Sequence, residues 1–316
     1  MSESVSPPER TPEPSPGGTF PLGKHTVSRI GYGAIQLPRL RDPADAQRVL
    51  RRALDLGVNH FDTADFYGKS VANEYLAQTL PADDDVLVVT KVGALRTTRG
   101  PVPMRPGQRP EELRKSVQDN LRSLNTDRLA LVNMRRMSPD GGFPVGHDQR
   151  VDFDDQIAEM VAMRDEGLIG DIGLSAVSLK EVQRALSVGI ACVQNPYSLV
   201  ARKDEPLLTL CERHGIAWAP YFPLGGALPG LAKVTHEPAV QAIAQTVGAT
   251  PAQVGLAWLL HHAGNVLLIP GTSSVDHLEQ NVAAGEVRLD EDALARLDKL
   301  KPAAGIRGFV NRFRRP

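Results

Sequence analysis

The feature that most constrains the fold of this chain is an alternation of short apolar runs with longer amphipathic runs, repeated from residue 19 nearly to the C-terminus. Some of the short runs, such as Val86-Leu87-Val88-Val89, are continuously apolar, which is typical of parallel strands buried on both faces. Eight runs have the length and composition of β-strands, at residues 28–33, 58–61, 86–91, 129–134, 170–175, 191–195, 217–221 and 266–269.

The amphipathic runs between them carry the end signals of helices. Asp42 before Pro43 is a favoured start, because the carboxylate caps free backbone N–H groups and proline suits the first turn. Thr250 and Gln253 form a capping-box pattern at the start of a later run. Eight strand–helix units in 316 residues predict an α/β fold, namely a single-domain (β/α)8 TIM barrel over residues 19–302.

An open, doubly wound sheet is the competing architecture for such a pattern. It would be expected to carry a G-x-G-x-x-G turn after its first strand. Here Gly31-Tyr32-Gly33 is followed by Ala34-Ile35-Gln36, so that pattern is broken and the barrel is favoured.

Composition narrows the setting in which the chain works. Residues 1–18 are rich in proline and serine and are predicted to be a disordered extension, and residues 303–316 form a basic tail. A net charge of −1 does not indicate a nucleic-acid partner or an anionic membrane surface. Two cysteines and no long apolar stretch predict a cytoplasmic protein, and nothing indicates its oligomeric state.

A barrel places its active site at the C-terminal ends of its strands, so polar residues there are the first candidates. Two longer segments, at residues 92–108 and 137–150, also follow strand ends and are predicted to be loops beside the site. The candidates that follow or end successive strands are Asp62, Lys91, Arg135, Ser175, Gln194, Tyr221, Gly271 and Thr272, with Tyr67 in the turn after Asp62.

Asp62, Tyr67 and Lys91 together suggest proton-transfer chemistry. A phenol has a pKa of about 10, and a neighbouring ammonium lowers it by favouring the phenolate. A carboxylate beside the ammonium would keep the lysine charged and fixed, so Tyr67 becomes a plausible general acid for a carbonyl oxygen. Each residue alone also has a structural interpretation, such as a loop cap, an exposed tyrosine or a buried ion pair.

These residues occur in motifs that resemble the aldo-keto reductase family. Asp62-Thr63-Ala64-Asp65-Phe66-Tyr67-Gly68 is similar to its D-T-A-x-x-Y-G segment, and Thr90-Lys91 to its T-K strand end. The resemblance covers about residues 20–300 with the motifs in family order. Further motifs include Ile172-Gly173-Leu174-Ser175, Val193-Gln194-Asn195 and Ile269-Pro270-Gly271-Thr272-Ser273-Ser274, and Leu131-Val132-Asn133-Met134-Arg135 is similar to the bacterial pyridoxal reductase branch.

The resemblance implies roles for the matching positions. Tyr67 would donate the proton, Lys91 would lower its pKa, and Asp62 would anchor Lys91. The implied cofactor is NADPH, with NADH as the alternative. Ser175 and Gln194 would hold its carboxamide and Tyr221 would stack on its nicotinamide ring. The remaining positions implied at the cofactor are Leu224, Gly271, Thr272, Ser273, His277, Gln280 and Asn281, near a helix predicted to open at Val275.

The chain departs from the family pattern at three places. Arg135 stands where histidine is usual; it would stabilise a developing oxyanion, as would Asn133, or it would only bind a carboxylate of the following loop. Ala176 replaces an asparagine that often contacts the carboxamide. Gly271 and His277 replace the Lys and Arg that often grip the 2′-phosphate, so the preference for NADPH is implied by the family alone.

These observations predict the reduction of a small aldehyde or ketone, with pyridoxal as the specific candidate. Two alternatives stay open at this point: an aldolase forming a Schiff base on Lys91, and a nucleotide-binding regulatory subunit with little catalysis. The histidines lack metal-ligand spacing, so no metal site is predicted. The basic tail is predicted to be solvated, and the alternative is that one of its arginines reaches an anionic substrate group.

Overall fold

The computed structural model describes residues 16–81, 85–98, 104–137, 145–226 and 232–301. Most of the predicted N-terminal extension, up to residue 15, and the predicted basic tail lie outside the described residues. Within the described chain, Pro16 and Gly18 accept backbone hydrogen bonds from Ile30 and Arg29, at 3.2 and 2.8 Å. The chain is therefore already packed on the fold just before the first strand.

Strands and helices alternate along most of the described chain. The strands are β1 (Thr19–Leu22), β2 (His25–Ser28), β3 (Tyr32–Gly33), β4 (His60–Asp62), β5 (Leu87–Val92), β6 (Ala94–Arg96), β7 (Met104–Pro106), β8 (Leu129–Arg135), β9 (Ile169–Ser175), β10 (Cys192–Gln194) and β11 (Ala217–Trp218). The helices are α1 (Pro43–Asp55), α2 (Val71–Thr79), α3 (Pro110–Ser123), α4 (Phe153–Asp165), α5 (Leu179–Ala185), α6 (Glu205–Arg213), α7 (Pro238–Val247), α8 (Pro251–His262), α9 (Val275–Ala283) and α10 (Glu291–Asp298).

Seven strands form one curled parallel sheet in the order β11-β10-β9-β8-β5-β4-β3, which confirms the predicted α/β fold. The segment 266–271 makes isolated parallel bridges to both ends of this sheet. Leu268 and Gly271 bridge to Ile30 and Gly33, and Val266 bridges to Trp218. Since all seven strands point the same way, their C-terminal ends meet at one edge.

Two antiparallel hairpins were not predicted. The run at 28–33 was predicted as one strand, but β1 and β2 form a hairpin that ends at Ser28, and only Tyr32–Gly33 joins the large sheet. Leu22 and Val27 of this hairpin cluster with Leu87 and Leu131 of the sheet, so the hairpin covers apolar side chains there. The segment 92–108, predicted as a loop, contains β6 paired with β7.

The predicted helix signals are confirmed. Asp42 accepts a hydrogen bond from the backbone N–H of Ala44, and Thr250 and Gln253 form a reciprocal capping box. Trp218 and Trp258 are fully buried, as expected for core residues. No helix within the described ranges is long and apolar enough to cross a membrane.

Candidate active site

A buried ion pair lies at the C-terminal ends of β4 and β5. Lys91 Nζ donates hydrogen bonds to Asp62 Oδ2 at 2.6 Å, to the Thr63 carbonyl at 2.9 Å and to the Tyr67 hydroxyl at 3.3 Å. The side chains of Lys91 and Asp62 are only 5% and 6% exposed. The structure therefore brings the three residues of the predicted proton-transfer group into direct contact.

The charges in this cluster hold Lys91 in its ammonium form. Burial alone opposes the charged form, but the Asp62 carboxylate, with the Tyr67 oxygen, raises the pKa of Lys91 above its ordinary value. The ammonium donates its three hydrogens to three oxygen acceptors. Because Lys91 donates to Tyr67, the phenol keeps its own proton free to donate elsewhere.

The turn after β4 places Tyr67 against this ammonium. Gly68, Lys69 and Ser70 have φ angles of 66°, 59° and 68°, so three consecutive residues adopt the left-handed conformation. The Ser70 hydroxyl donates to Asp65 Oδ1 at 2.7 Å and closes the turn. Tyr67 is only partly buried, so part of its surface remains accessible.

A buried polar network lies behind the ion pair, and sequence reasoning did not assign it a role. The Thr63 hydroxyl donates to Asn73 at 2.7 Å, and Asn73 donates to Asn120 at 3.0 Å. The Thr90 hydroxyl also donates to Asn120, at 2.5 Å. The network ties β4, α2, α3 and β5 together, so it fixes the backbone from which Asp62 and Lys91 project. Thr63 and Thr90 belong to the two quoted motifs, and this membership is the sequence signal that could have indicated the network.

Gln194 contacts the ion pair from the other side of the curled sheet. Its Nε2 donates to Asp62 Oδ1 at 2.7 Å, so both carboxylate oxygens of Asp62 are bound. Its Oε1 is buried and has no hydrogen-bond partner in the described part of the chain. Gln194, the residue predicted to hold a carboxamide, therefore uses its N–H group on Asp62, while its side-chain oxygen has no partner among the described residues.

Arg135, Ser175 and Tyr221 form a second group on the adjacent strand ends. Arg135 pairs with Ser175 in register, and its Nη1 donates to the Ser175 hydroxyl at 3.4 Å. The guanidinium lies 5.3 Å from the centre of the Tyr221 ring. Burial raises the pKa of the Tyr221 phenol, and the nearby Arg135 charge opposes that rise.

Arg135 is fixed through its backbone by Gln108, a residue that the sequence pattern did not single out. Gln108 Nε2 donates to the Arg135 carbonyl at 3.0 Å and to the Gly93 carbonyl. Its Oε1 accepts from the Met137 backbone N–H and from Gln156. Gln108 is fully buried, so it links the segment after β7 to the end of β8. Buried glutamines in loop segments lack any periodic sequence signal.

Asn133 lies one inward-facing position below Arg135 on β8. It pairs in register with Lys91 on one side and with Gly173 on the other. A Cβ on Gly173 would overlap Asn133 Oδ1, so the glycine makes room for this amide. Both polar atoms of Asn133 are buried without a hydrogen-bond partner among the described residues. A buried amide left without partners costs about 1–3 kcal/mol, so both polar atoms of Asn133 are available to a group bound beside β8.

The remaining predicted cofactor residues lie around the segment after residue 269. Gly271 approaches the β3 backbone closely, since a Cβ on Gly271 would lie 2.7 Å from the Gly33 carbonyl oxygen. The helix expected at Val275 does start there, as α9, and Ser274 caps it by accepting from the His277 N–H at 3.4 Å. The side chain of His277 is exposed.

The other predicted cofactor positions are Thr272, residues at and just before α9, and Leu224, which follows β11. Thr272 lies at the foot of α9, where its hydroxyl accepts from the Ser274 N–H at 3.0 Å. Leu224 accepts a backbone hydrogen bond from Val234. The predicted residues Ser273, Gln280 and Asn281 lie on the same short stretch, just before or within α9.

Comparisons with known proteins give the family of the chain. Residues 29–302 match the aldo/keto reductase family. The chain is 43% identical over 288 residues to pyridoxine 4-dehydrogenase of Escherichia coli (strain K12), covering 89% of this chain and 97% of that protein. It is 34% identical over 293 residues to an uncharacterised oxidoreductase of Schizosaccharomyces pombe, covering 90% of both. A crystal structure of an aldo-keto reductase from Klebsiella pneumoniae in complex with NADPH is similar, with a TM-score of 0.74 and 26% identity over 90% of this chain and 95% of that one.

Proposed function

Because the chain belongs to the aldo/keto reductase family and is thus an oxidoreductase, we propose that it reduces small aldehydes or ketones to alcohols with NADPH. The observation that carries the proposal is the buried contact of Lys91 with both Asp62 and Tyr67 at one edge of the sheet. That contact supplies a phenol with a free proton and a fixed positive charge beside it.

In this mechanism, Tyr67 donates its phenolic proton to the carbonyl oxygen of the substrate. Lys91 stabilises the negative charge that remains on the Tyr67 oxygen, and Asp62 keeps Lys91 charged and oriented. Arg135 and Asn133 stabilise the charge that develops on the substrate oxygen, since both offer donors that the described residues leave unused.

The cofactor assignment rests on the unused polar atoms of the site and on the NADPH-bound relative. When bound, NADPH supplies the hydride that reaches the carbonyl carbon. Gln194 Oε1 can accept from a carboxamide NH2 group, and the Ser175 hydroxyl can donate to its oxygen. Tyr221 offers a ring face for the nicotinamide, and α9 offers its capped N-terminus near Ser273 and His277 for a phosphate.

We propose that residues 19–302 form one closed (β/α)8 barrel. The bridges from the segment 266–271 to both ends of the sheet support this architecture, because an eighth strand that closed the sheet would make such contacts. The eighth strand would then bring Gly271 and Thr272 to the same mouth as Lys91.

Pyridoxal is the substrate that we propose within this class. The support is the 43% identity to pyridoxine 4-dehydrogenase, over nearly the whole of both chains. An aldehyde panel scored by the loss of reduced-nicotinamide absorbance tests the proposal, with pyridoxal expected to have the highest kcat/KM. An equal or lower kcat/KM for pyridoxal than for unrelated aldehydes contradicts it.

The Tyr67→Phe variant tests the mechanism. We expect it to lose turnover by a factor of about 100 to 10,000, the usual contribution of a positioned acid, while its NADPH dissociation constant stays nearly unchanged. Steady-state absorbance measures the turnover, and the fluorescence of bound NADPH measures the affinity. Loss of NADPH binding with normal turnover per bound cofactor would overturn the assignment of Tyr67.

The structure gives little support to a Schiff base on Lys91. An attacking amine must be neutral, but Lys91 is held as an ammonium by Asp62 and has a raised pKa. Borohydride treatment with a carbonyl substrate should therefore leave no adduct on Lys91, and a trapped adduct found by mass spectrometry would favour an aldolase. NADPH binding without turnover on any carbonyl compound would instead favour a regulatory subunit.

A further inference from the structure

We propose that this site selects aldehydes and ketones with a second, ionised oxygen close to the carbonyl group. The carbonyl group and the ionised oxygen are attached to two neighbouring carbons, and Arg135 recognises the two oxygens together. The inference rests on the proposed reductase function and names its substrate class. An ortho-hydroxyaryl aldehyde in its phenolate form is the simplest member of the class.

The first observation is that the Arg135 charge is not neutralised by the described chain. Its side chain is half-buried, and its polar contacts are to the neutral hydroxyls of Ser175 and Tyr221. Its Nε is buried with no partner in the ranges that the structure describes. Removing an arginine charge from water is costly unless an anion or several acceptors compensate, so the site is built to receive negative charge.

The second observation is that Arg135 supplies the uncompensated positive charge of the site. The other buried cation, Lys91, is paired with Asp62 at 2.6 Å. The neighbouring Arg136 is also occupied, by Glu181 at 3.0 Å and by the Val151 carbonyl at 3.0 Å. Of these three cations, Arg135 is the one that pairs with no carboxylate of the described residues, so it is the charge that an anionic substrate group at the strand ends would meet.

The third observation is that Arg135 is held in place before any substrate binds. Gln108 fixes its backbone carbonyl, and the Tyr221 ring lies 5.3 Å from the guanidinium. A guanidinium is a planar fork that donates two parallel hydrogen bonds to oxygens lying in one plane. A fork of this kind suits the coplanar formyl and ring oxygens of an ortho-hydroxyaryl aldehyde better than it suits a lone carbonyl oxygen.

Pyridoxal has this arrangement, with its hydroxyl on the ring carbon next to the one that bears the formyl group. Arg135 would contact the formyl oxygen and the ring oxygen, and Tyr67 would donate its proton to the formyl oxygen. The same contacts would reject an aldehyde whose ionised oxygen lies on the far side of the ring, because one guanidinium edge cannot span both groups.

A pair of isomeric aldehydes tests the inference on the full-length enzyme with NADPH. In 2-hydroxy-5-nitrobenzaldehyde the phenolate is next to the formyl group, and in 4-hydroxy-3-nitrobenzaldehyde it is opposite. The nitro group keeps both ionised near neutral pH, so total charge and composition match. We expect kcat/KM to favour the first isomer about tenfold to a hundredfold, the value of a charge-assisted hydrogen bond. Chromatography of the alcohol products avoids the overlapping nitrophenolate absorbance.

Two variants assign the preference. Arg135→Met should bring the ratio of the two kcat/KM values close to one, even if it slows both isomers. Arg135→Lys, which keeps the charge and loses the fork, should restore only part of the ratio. Arg136→Met removes the same charge one residue away and should keep the wild-type ratio. A ratio that survives in Arg135→Met, or a wild-type enzyme that does not distinguish the isomers, overturns the inference.

Equilibrium binding separates this inference from the proposed reaction. The turnover-deficient Tyr67→Phe protein, loaded with NADPH, should bind the first isomer about tenfold or more tightly than the second, read from the shift in nitrophenolate absorbance. If the wild-type enzyme reduces neither isomer, but the binding preference is present and depends on Arg135, the proposed reaction is wrong and the proposed recognition holds. If both isomers are reduced and bound equally, the reaction holds and the recognition is wrong.

Discussion

Replacing Lys91 by methionine should destabilise the protein, and adding Asp62→Asn should restore much of that loss. Methionine keeps the length of the side chain and removes the ammonium. The carboxylate of Asp62, whose side chain is 6% exposed, would then keep Gln194 Nε2 as its one remaining side-chain donor among the described residues. The Thr63 carbonyl would also lose its donor. Removing one partner of a buried ion pair costs about 3–5 kcal/mol, because the other charge is left uncompensated.

The double variant has no uncompensated charge in this cluster. An asparagine at position 62 can still accept the hydrogen bond from Gln194. Neutral replacements of a buried pair are often close to neutral in stability, so the double variant should recover at least about 2 kcal/mol relative to Lys91→Met. Turnover should stay low in both variants, because both lack the charge beside Tyr67.

Urea unfolding of the full chain, followed by the fluorescence of Trp218 and Trp258, measures these differences, since both indoles are fully buried. Equal slopes of free energy against urea concentration in all variants would show that the unfolded states are comparable. A shift on the order of 10 °C in the thermal midpoint is expected for Lys91→Met. Wild-type stability in Lys91→Met, or no recovery in the double variant, would refute the view that this pair is a desolvated charge pair.

Three further outcomes are expected. Burial lowers the pKa of His60 to about 4 from 6.5. As the pH falls, the unfolded chain therefore binds this proton before the folded protein does. About 3 kcal/mol of stability that is present above pH 6.5 is consequently lost between pH 6.5 and pH 4. Urea titrations should show that His60→Leu flattens this acid-side decline, and an unchanged decline would contradict the assignment. Asn133→Leu should leave the thermal midpoint of the ligand-free protein equal or higher, since it removes two buried atoms that have no partner among the described residues. The same variant should lower kcat/KM at least about tenfold, and full activity would exclude Asn133 from the site. Gly33→Ala should destabilise the folded protein by about 1–3 kcal/mol, because the new Cβ would lie 2.5 Å from the Ile269 carbonyl oxygen. The control Gly264→Ala should change stability by less than about 0.5 kcal/mol, because no atom would lie closer than 4.0 Å to its Cβ.

Most of the architecture could be predicted from local patterns. Continuous apolar runs indicate buried parallel strands, and caps such as Asp42 and Thr250 act on backbone groups two or three residues away. These signals failed at the two hairpins. The short strands β1, β2, β6 and β7 are partly exposed, and β1 and β7 contain proline, so these segments resemble loop sequence although they pair as two hairpins.

The sequence by itself determined which edge of the sheet carries the candidate site. Parallel strands separated by helices must bring their C-terminal ends to one edge, so the positions of Asp62, Lys91 and Arg135 followed from their places at strand ends. The turn that carries Tyr67 is short, and it could only place the phenol near the same edge.

The tertiary structure alone decided how those side chains divide their hydrogen bonds. Gln194 donates its N–H group to Asp62, which lies 132 positions away in the sequence, and Gln108 donates to the Arg135 carbonyl. Asn133 lies against Gly173, and its two polar atoms have no partner among the described residues. Which donor meets which acceptor depends on the curl and register of the whole sheet. No local sequence pattern encodes a distance between strands, so the unused hydrogen-bonding groups emerge only when the fold is assembled.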